Sequence, residues 1–489
     1  MTIAFEAEIR KGEITNLSEF AREAQKQSEA IGRESVRRYL EQYDLVLMAE
    51  RDKDRYRSKG LRSTNIKTGL GVIEYRRRVY QDLQAKKGRR CVYLLDEAIQ
   101  KDGVGLYSKD ICELAVQFAC QGSYRDAARQ ISEATGLQIS HQSVWNIVQC
   151  MGEREKERVQ RQTELMQSGQ ATGMIKTPIL YEENDGIWLH MQGKDRTACG
   201  KSKEMKVGIA YDGVLWRTKD GVVKRRELDE KVAYASFESA REFEKHKKGI
   251  VSSRYDMDSV ELLVKNGDGA NWIQKSTETN TITVLDEFHR NKKLTECVWD
   301  KEFAQVLRGL LFQKDIDGLL TCLEAQITTL SVVPERADEV EKLRELQRYY
   351  TENRESLLGY YDRGVEIPPT RRPGMIHHAR LGSMESNVFT LIGNRMKGRR
   401  HCWSIAGANH LGLLLCEYHT VGLRQLHEPL PDHPVEKEVW VDTGRPLSHR
   451  EAMETVGKGY EYPHQAEVTA SCPFMRFVLR SVPYSELRM

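Results

Sequence analysis

The sequence predicts an α/β multidomain protein in which helical segments precede and interrupt a mixed sheet. Three observations predict it. Apolar residues recur at steps of three and four within residues 13–50, 108–150 and 301–361. Short apolar runs at 177–183, 186–191, 206–211, 260–265 and 281–285 read as strands interleaved with helix. The 489 residues, 39% apolar, leave ample material for several cores.

Composition narrows the function classes. Lys and Arg number 75 against 72 Asp and Glu, so the chain is no histone-like polycation. No apolar run reaches the roughly 18 residues of a membrane span, and no membrane role is expected. The start, MTIAFEAEIRKGE, lacks the basic-then-apolar order of a secretion signal. Ten cysteines without a C-x-x-C pair argue against a zinc site or a disulfide framework, and for reduced thiols in a cytoplasm. There is no internal repeat and no low-complexity segment.

Taken in order, residues 1–50 form a helical region, with Leu17, Phe20, Ala24, Ile31, Val36 and Leu40 near helical spacing. Residues 51–107 are a basic, β-rich region. Within 51–90 there are 14 Lys and Arg against 4 acids. The run Gly69-Leu70-Gly71 followed by Val72-Ile73-Glu74-Tyr75-Arg76-Arg77-Arg78-Val79-Tyr80 predicts a hairpin. A charge run is usually a solvated face, but an excess of one sign favours a surface for polyanions, with Arg76, Arg77 and Arg78 meeting phosphates.

Residues 108–168 carry the pattern of a helix-turn-helix. Ile111, Leu114, Ala115 and Phe118 make one stripe, and Ser123 caps a second helix with Ala127, Ala128 and Ile131 inward. After the turn Thr135-Gly136-Leu137, Ser140 caps a third helix. His141, Gln142, Ser143 and Asn146 are expected on its exposed start, where such side chains read a DNA groove. Any small helical bundle shares the pattern. Helix continues to Gln167, and GQATGMIK is the linker.

The α/β part is expected to occupy 175–300 and 373–425, around a helical stretch at 301–372 closed by Pro368, Pro369 and Pro373. Residues 426–489 form a proline-containing tail without a usable pattern. Three acids stand out. Asp185 lies in Tyr181-Glu182-Glu183-Asn184-Asp185-Gly186-Ile187-Trp188, between two strand-like runs. Asp268 follows the 260–265 run in Asn266-Gly267-Asp268-Gly269. Glu385 follows Ser383, a candidate cap, in the first turn of a helix. Singly, each reads as a turn or capping acid. Together they give strand–Asp, strand–Asp, helical insert, helix–Glu, as metal-assisted phosphoryl chemistry requires of separate elements. The strand at 281–285 adds Asp286-Glu287-Phe288-His289. Asp286 is well placed as a helix N-cap, or as the partner that orients the His289 ring.

The stretches YEENDGIWLHMQGKDR, NGDGANWI, TVLDEFHRNKKL and MESNVFTLIGNRMKGRRHCWS, with GSYRDAARQISEATG and EYRRRVY upstream, resemble bacterial insertion-sequence transposases of the ISLre type. That family, once catalogued as uncharacterised, looks related to the Mutator-like DDE transposases. The resemblance covers roughly residues 60–420. It implies an RNase H-like catalytic domain with an all-helical insertion, and a catalytic, metal-binding triad at Asp185, Asp268 and Glu385. Asp286 and His289 become an accessory pair. Glu182 and Glu183 lie close by, and on a strand Glu183 shares a face with Asp185. The D-G-x-W context favours Asp185.

The same resemblance implies two Mg²⁺ (or Mn²⁺) ions serving strand cleavage and strand transfer. Arg395, Lys397, Arg399 and Arg400 follow Glu385 and are expected to pair with phosphates. The implied partners are double-stranded DNA, as terminal inverted repeats and target, and further copies of the chain assembled on it. The implied location is a bacterial cytoplasm, at the nucleoid. Two other readings of the residues are a different RNase H-like nuclease, such as a junction resolvase, and a non-enzymatic helix-turn-helix regulator. The first would not be expected to carry both a helix-turn-helix and a long insertion, and the second leaves the acid-bearing α/β region unexplained.

Overall fold

The computed structural model describes residues 16–85, 90–99, 103–219, 222–267, 269, 280–378, 381–398, 401–420 and 422, with the side chains of Arg90 and of residues 217–226 left aside. The described residues divide into two units, one within 16–115 and 128–140, the other within 116–127 and 141–422.

The first unit opens with α1 (Leu17–Glu50), whose first turn is closed by Asn16 accepting from the Glu19 N–H at 3.0 Å. The basic segment is the expected hairpin. β1 (Tyr56–Thr68) and β2 (Gly71–Asp82) pair antiparallel, and β3 (Arg90–Val92) extends the sheet on the β2 side. Gly71 turns the corner at φ +104°, a conformation open to glycine. Leu40 of α1, Tyr75 of β2 and Leu95 of α2 (Leu94–Ala98) form the core, ringed by Val36, Tyr43, Leu47, Ile66 and Ile99.

Three helices stand where the sequence expects them: α3 (Lys109–Gln121), α4 (Tyr124–Thr135) and α5 (His141–Gln167). Ser123 Oγ accepts from the Asp126 N–H at 3.1 Å, the expected cap. Gly136 takes φ +67° in the turn after α4. α5 runs unbroken for 27 residues.

The second unit is built on a five-stranded sheet. Its strands are β4 (Ile179–His190), β5 (Ser202–Tyr211), β8 (Val232–Ser236), β9 (Leu262–Gly267) and β10 (Thr281–Leu285), in the order β10-β9-β4-β5-β8. β4, β9 and β10 are parallel, and β5 runs antiparallel to both β4 and β8. The two runs 177–183 and 186–191 are one strand. Asp185-Gly186 does not turn but pairs with Val207 and Lys206 of β5; a Cβ at Gly186 would come within 2.1 Å of the Glu204 carboxylate and oblige that side chain to shift.

Composition hid the elements between. α6 (Gly193–Cys199) follows β4, and β6 (Val214–Lys219) with β7 (Val222–Leu228) and β11 (Met375–Ile376) make a small second sheet. α7 (Ala240–Arg254) packs on one face of the main sheet. After β10 come α8 (Glu287–Cys297), whose cap at Asp286 the sequence expects, and then α9 (Lys301–Gln313), α10 (Ile316–Ser331) and α11 (Ala337–Glu352), all around one apolar core. The chain returns through α12 (Met384–Val388), which lies against β4, a π turn at Phe389–Gly393 and α13 (Asn394–Met396). α14 (Ile405–His419) packs on α5 and β8.

Candidate active site

Strand alternation sends residues 182 and 184 of β4 to one face and 183, 185 and 187 to the other. On the first face Lys247 of α7 reaches Glu182 at 2.9 Å and Asn184 Oδ1 at 3.0 Å. On the second, Glu183 accepts from the Gly382 N–H at 2.9 Å, and a Cβ at Gly393 would lie 3.3 Å from Ile187. The helical run from Met384 to Met396 therefore lies along the face of β4 that carries Asp185. Asp185 is half-buried, with its Oδ1 accepting from the Gly186 N–H at 2.7 Å. Glu385 is exposed in the first turn of α12.

Asp268 lies outside the described residues, one position after β9 ends at Gly267. The β4–β9 register pairs Glu183 with Asn266, so Asp185 and Asp268 are each two residues beyond paired positions. Among the described residues no three His, Cys, Asp or Glu side chains form a group able to hold a metal ion. Asp185 and Glu385 supply two carboxylates of the oxygen type that hard cations take.

Asp286 answers both expectations made of it. It caps α8, accepting from the His289 N–H at 3.0 Å, and the same oxygen stands 3.1 Å from His289 Nδ1. Burial pushes its carboxyl up, but the hydrogen bonds from His289 outweigh that and leave it below its ordinary value. The ring then keeps Nδ1 for Asp286 and directs Nε2 elsewhere.

Sequence spacing missed Glu183. Its carboxylate is fully buried and accepts four hydrogen bonds. Tyr211 Oη at 2.6 Å and Ser383 Oγ at 2.8 Å meet Oε1; Asn266 Nδ2 at 3.0 Å and the Gly382 N–H at 2.9 Å meet Oε2. Burial, and then the charge of Glu183, hold the Tyr211 phenol well above its ordinary pKa, so it keeps its proton and donates. The other Asn266 N–H points to Asp286 Oδ2 at 3.4 Å. The expected cap of α12 is thereby spent elsewhere: Ser383 makes no capping bond to its own helix, because its hydroxyl serves Glu183. Period-two alternation through Glu182-Glu183-Asn184-Asp185 was the one signal that pointed to it.

Several basic residues are turned away from the role expected of them. Arg77 lies over the Tyr93 ring and pairs with Asp96, while Arg78 is tied to the buried Asp44 at 2.5 Å. Of the three, Arg76 alone is exposed. Arg395 is buried; its Nε donates to the Ala119 carbonyl at 2.6 Å, and its guanidinium carbon stands 5.6 Å from the Tyr124 ring centroid and 5.3 Å from that of Trp403. Lys397 is exposed, and Arg399 and Arg400 lie outside the described residues. On α5, His141 is exposed, Gln142 and Asn146 are half-buried and bond each other at 3.3 Å, and Ser143 is buried at 4% exposure. Ser143 faces inward with Val144 and Ile147, so it is not available to a groove.

Residues 10–426 match the model of UPF0236, an uncharacterised protein family. A UPF0236 protein from the vanSb 3′ region of Streptococcus gallolyticus is 23% identical over 409 residues, covering 82% of each chain. A UPF0236 protein of Caldanaerobacter subterraneus is 23% identical over 393 residues, 79% of this chain and 76% of its own, and its name joins eleven locus designations. A second protein of that organism is 23% identical over 379 residues, 76% of this chain and 74% of its own. The chain belongs to the UPF0236 family.

Proposed function

We propose that this UPF0236 protein is a DDE transposase of a bacterial insertion sequence, of the ISLre type, which cuts DNA at terminal inverted repeats and joins the ends to target DNA. The observation that carries the reading is the sheet. A strand order of β10-β9-β4-β5-β8, with only β5 antiparallel to its neighbours, is what an RNase H-like domain calls for. Asp185 lies on its central strand, Asp268 follows the neighbouring parallel strand, and Glu385 opens the helix along the same face. The relative whose name joins eleven loci adds support, since a self-copying element leaves many copies of one gene in a genome.

In this reading Asp185, Asp268 and Glu385 present all-oxygen ligands suited to Mg²⁺ or Mn²⁺. Two such ions, when bound, supply charge neutralisation at the attacking and leaving oxygens of an in-line displacement at phosphorus. The chain's own part is to hold the carboxylates in register, to aim His289 from Asp286, and to grip duplex DNA. Arg76, His141, Gln142, Asn146 and Lys397 are the basic or polar side chains left exposed or half-exposed for that grip. The DNA substrate implies work at the nucleoid. Among the described residues no helix is long and apolar enough to cross a membrane.

The test is cleavage of a DNA carrying the inverted repeats that flank the reading frame, with Mg²⁺ present. Wild type should nick or cut at the repeat ends. Asp185→Ala, Asp268→Ala and Glu385→Ala should each remove cutting and leave binding of the repeats intact. A Glu385→Ala protein that cuts at the normal rate would take Glu385 out of the site.

A further inference from the structure

We infer that Glu183 is a positioning residue that sets the geometry of the acidic site. The inference rests on the transposase reading above for the meaning of that site. Glu183 stands on β4 two residues before Asp185 and joins three other segments through one carboxylate. Through Asn266 it holds the end of β9, which Asp268 follows. Through the second N–H of Asn266 the link extends to Asp286, and so to His289. Through the Gly382 N–H and Ser383 Oγ it holds the residues that lead into the Glu385 helix.

The chemistry of the four donors makes the role specific to a carboxylate. A carboxylate has about four acceptor sites and no donor, and here four are filled. The Glu183→Gln change keeps one acceptor oxygen: with its NH₂ towards the Asn266 amide and the Gly382 N–H donor faces donor, and with its NH₂ towards Tyr211 and Ser383 both hydroxyls must turn round to accept. The Glu183→Asp change would leave the carboxylate a methylene short. The backbone held by this carboxylate is one that does not hold itself. Leu381, a non-glycine residue, sits at φ +51° and Gly382 at φ +83°. Leu381 is buried, so its strained turn is fixed by its surroundings. Losing the bonds from Gly382 and Ser383 to Glu183 lets that turn relax, and the first turn of α12, which bears Glu385, moves with it.

The experiment uses the full-length protein and two variants, Glu183→Gln and Ser383→Ala. The first readout is hydrogen exchange of the peptide covering residues 377–390, measured without DNA or metal. The second is the Mg²⁺ concentration giving half-maximal end cleavage. In Glu183→Gln, exchange at Gly382 should quicken at least about tenfold, the sign of a backbone opening that the native bond suppresses. The Mg²⁺ requirement should rise about 10- to 100-fold, the usual cost of losing a group that orients metal ligands, with affinity for the repeats unchanged. Ser383→Ala, which keeps the carboxylate and removes one donor, should shift both in the same direction by less. A purely structural role would lower the melting temperature and the active fraction, yet leave the Mg²⁺ requirement of the surviving molecules at the wild-type value. That outcome overturns the inference, as does wild-type exchange at Gly382. If Glu183→Gln does not fold, Ser383→Ala decides alone, and wild-type values for both readouts refute the inference. If wild type cleaves no DNA, the transposase reading falls, while the exchange result still decides whether Glu183 holds the turn.

Discussion

Glu182 and Glu183 are adjacent on β4 and equally removed from water, yet they meet opposite kinds of partner. Glu182 faces α7 and is ion-paired, to Lys247 at 2.9 Å and to Lys265 at 3.7 Å, with Glu244 bridging both lysines at 2.8 Å. Two carboxylates and two ammonium groups cancel, and their work ends in anchoring a helix to a sheet. Glu183 faces α12 and takes a phenol, a hydroxyl, an amide and a backbone N–H. Those four donors are neutral groups, and the imidazole of His378 stands next to them, its Nδ1 2.6 Å from Tyr211 Oη and 3.9 Å from Glu183 Oε1. The same side chain, one residue apart, is ion-paired on one face and held by neutral donors on the other because of what packs there.

The ion-paired face should respond most strongly in stability. Lys247→Met leaves Glu182 and Glu244 buried short of a partner and should cost about 3–5 kcal/mol, read from urea unfolding. A loss under about 1 kcal/mol would mean that Lys265 alone suffices. The pH dependence of this face has a definite sign. Burial pushes Glu244 up, but Lys247 and Lys265 hold it down, from 4.5 to about 2. A depressed carboxyl stabilises the fold above its unfolded pKa and loses that effect as pH falls towards the folded value. The melting-temperature deficit of Glu244→Gln should then be full at about pH 6 and shrink steadily below about 4.5.

The other face should respond in chemistry with little change in stability. Asp286→Ser keeps an N-capping oxygen, so unfolding should shift by no more than about 0.5 kcal/mol. Cleavage should still slow by about 10- to 100-fold, because the His289 ring loses its partner. Normal cleavage by both Asp286→Ser and His289→Ala would leave Asp286 as a cap alone. The smallest effect belongs to the hairpin, away from either face. Arg76→Glu should weaken DNA binding for all sequences alike and reduce the slope of log K against log salt by about 1. Arg78 is unsuited to that test, since its loss strands the buried Asp44.

Elements with one strong local signal were legible in the sequence. β10 has the bounds expected of it, the hairpin turns where its glycines stand, and the Asp286–His289 spacing forms both a cap and a pair. What escaped was anything decided by distant partners. The donors to Glu183 come from positions 211, 266, 382 and 383, and no window of sequence contains them. Asp185-Gly186 has the composition of a turn, and the pairing with Val207 and Lys206 of β5 that makes it strand is visible only across the sheet. A row of three arginines declares its charge but not its direction; Asp44 and Asp96 decided that for Arg78 and Arg77.

The insertion leaves and rejoins the sheet at nearly one place. It departs after β10 at Asp286, and Arg363 on the returning chain donates to the carbonyl of Thr283 within β10, as well as to that of Leu358. Arg371 and Arg372 then bind the returning chain to Asp212 and Asp229. In polymer terms the excursion is a closed loop with pinned ends, filled by its own apolar core. The entropy of closing such a loop grows only with the logarithm of its length, about 0.6 kcal/mol for each doubling. The sheet therefore sets where the insertion is attached but places almost no limit on how long it can be.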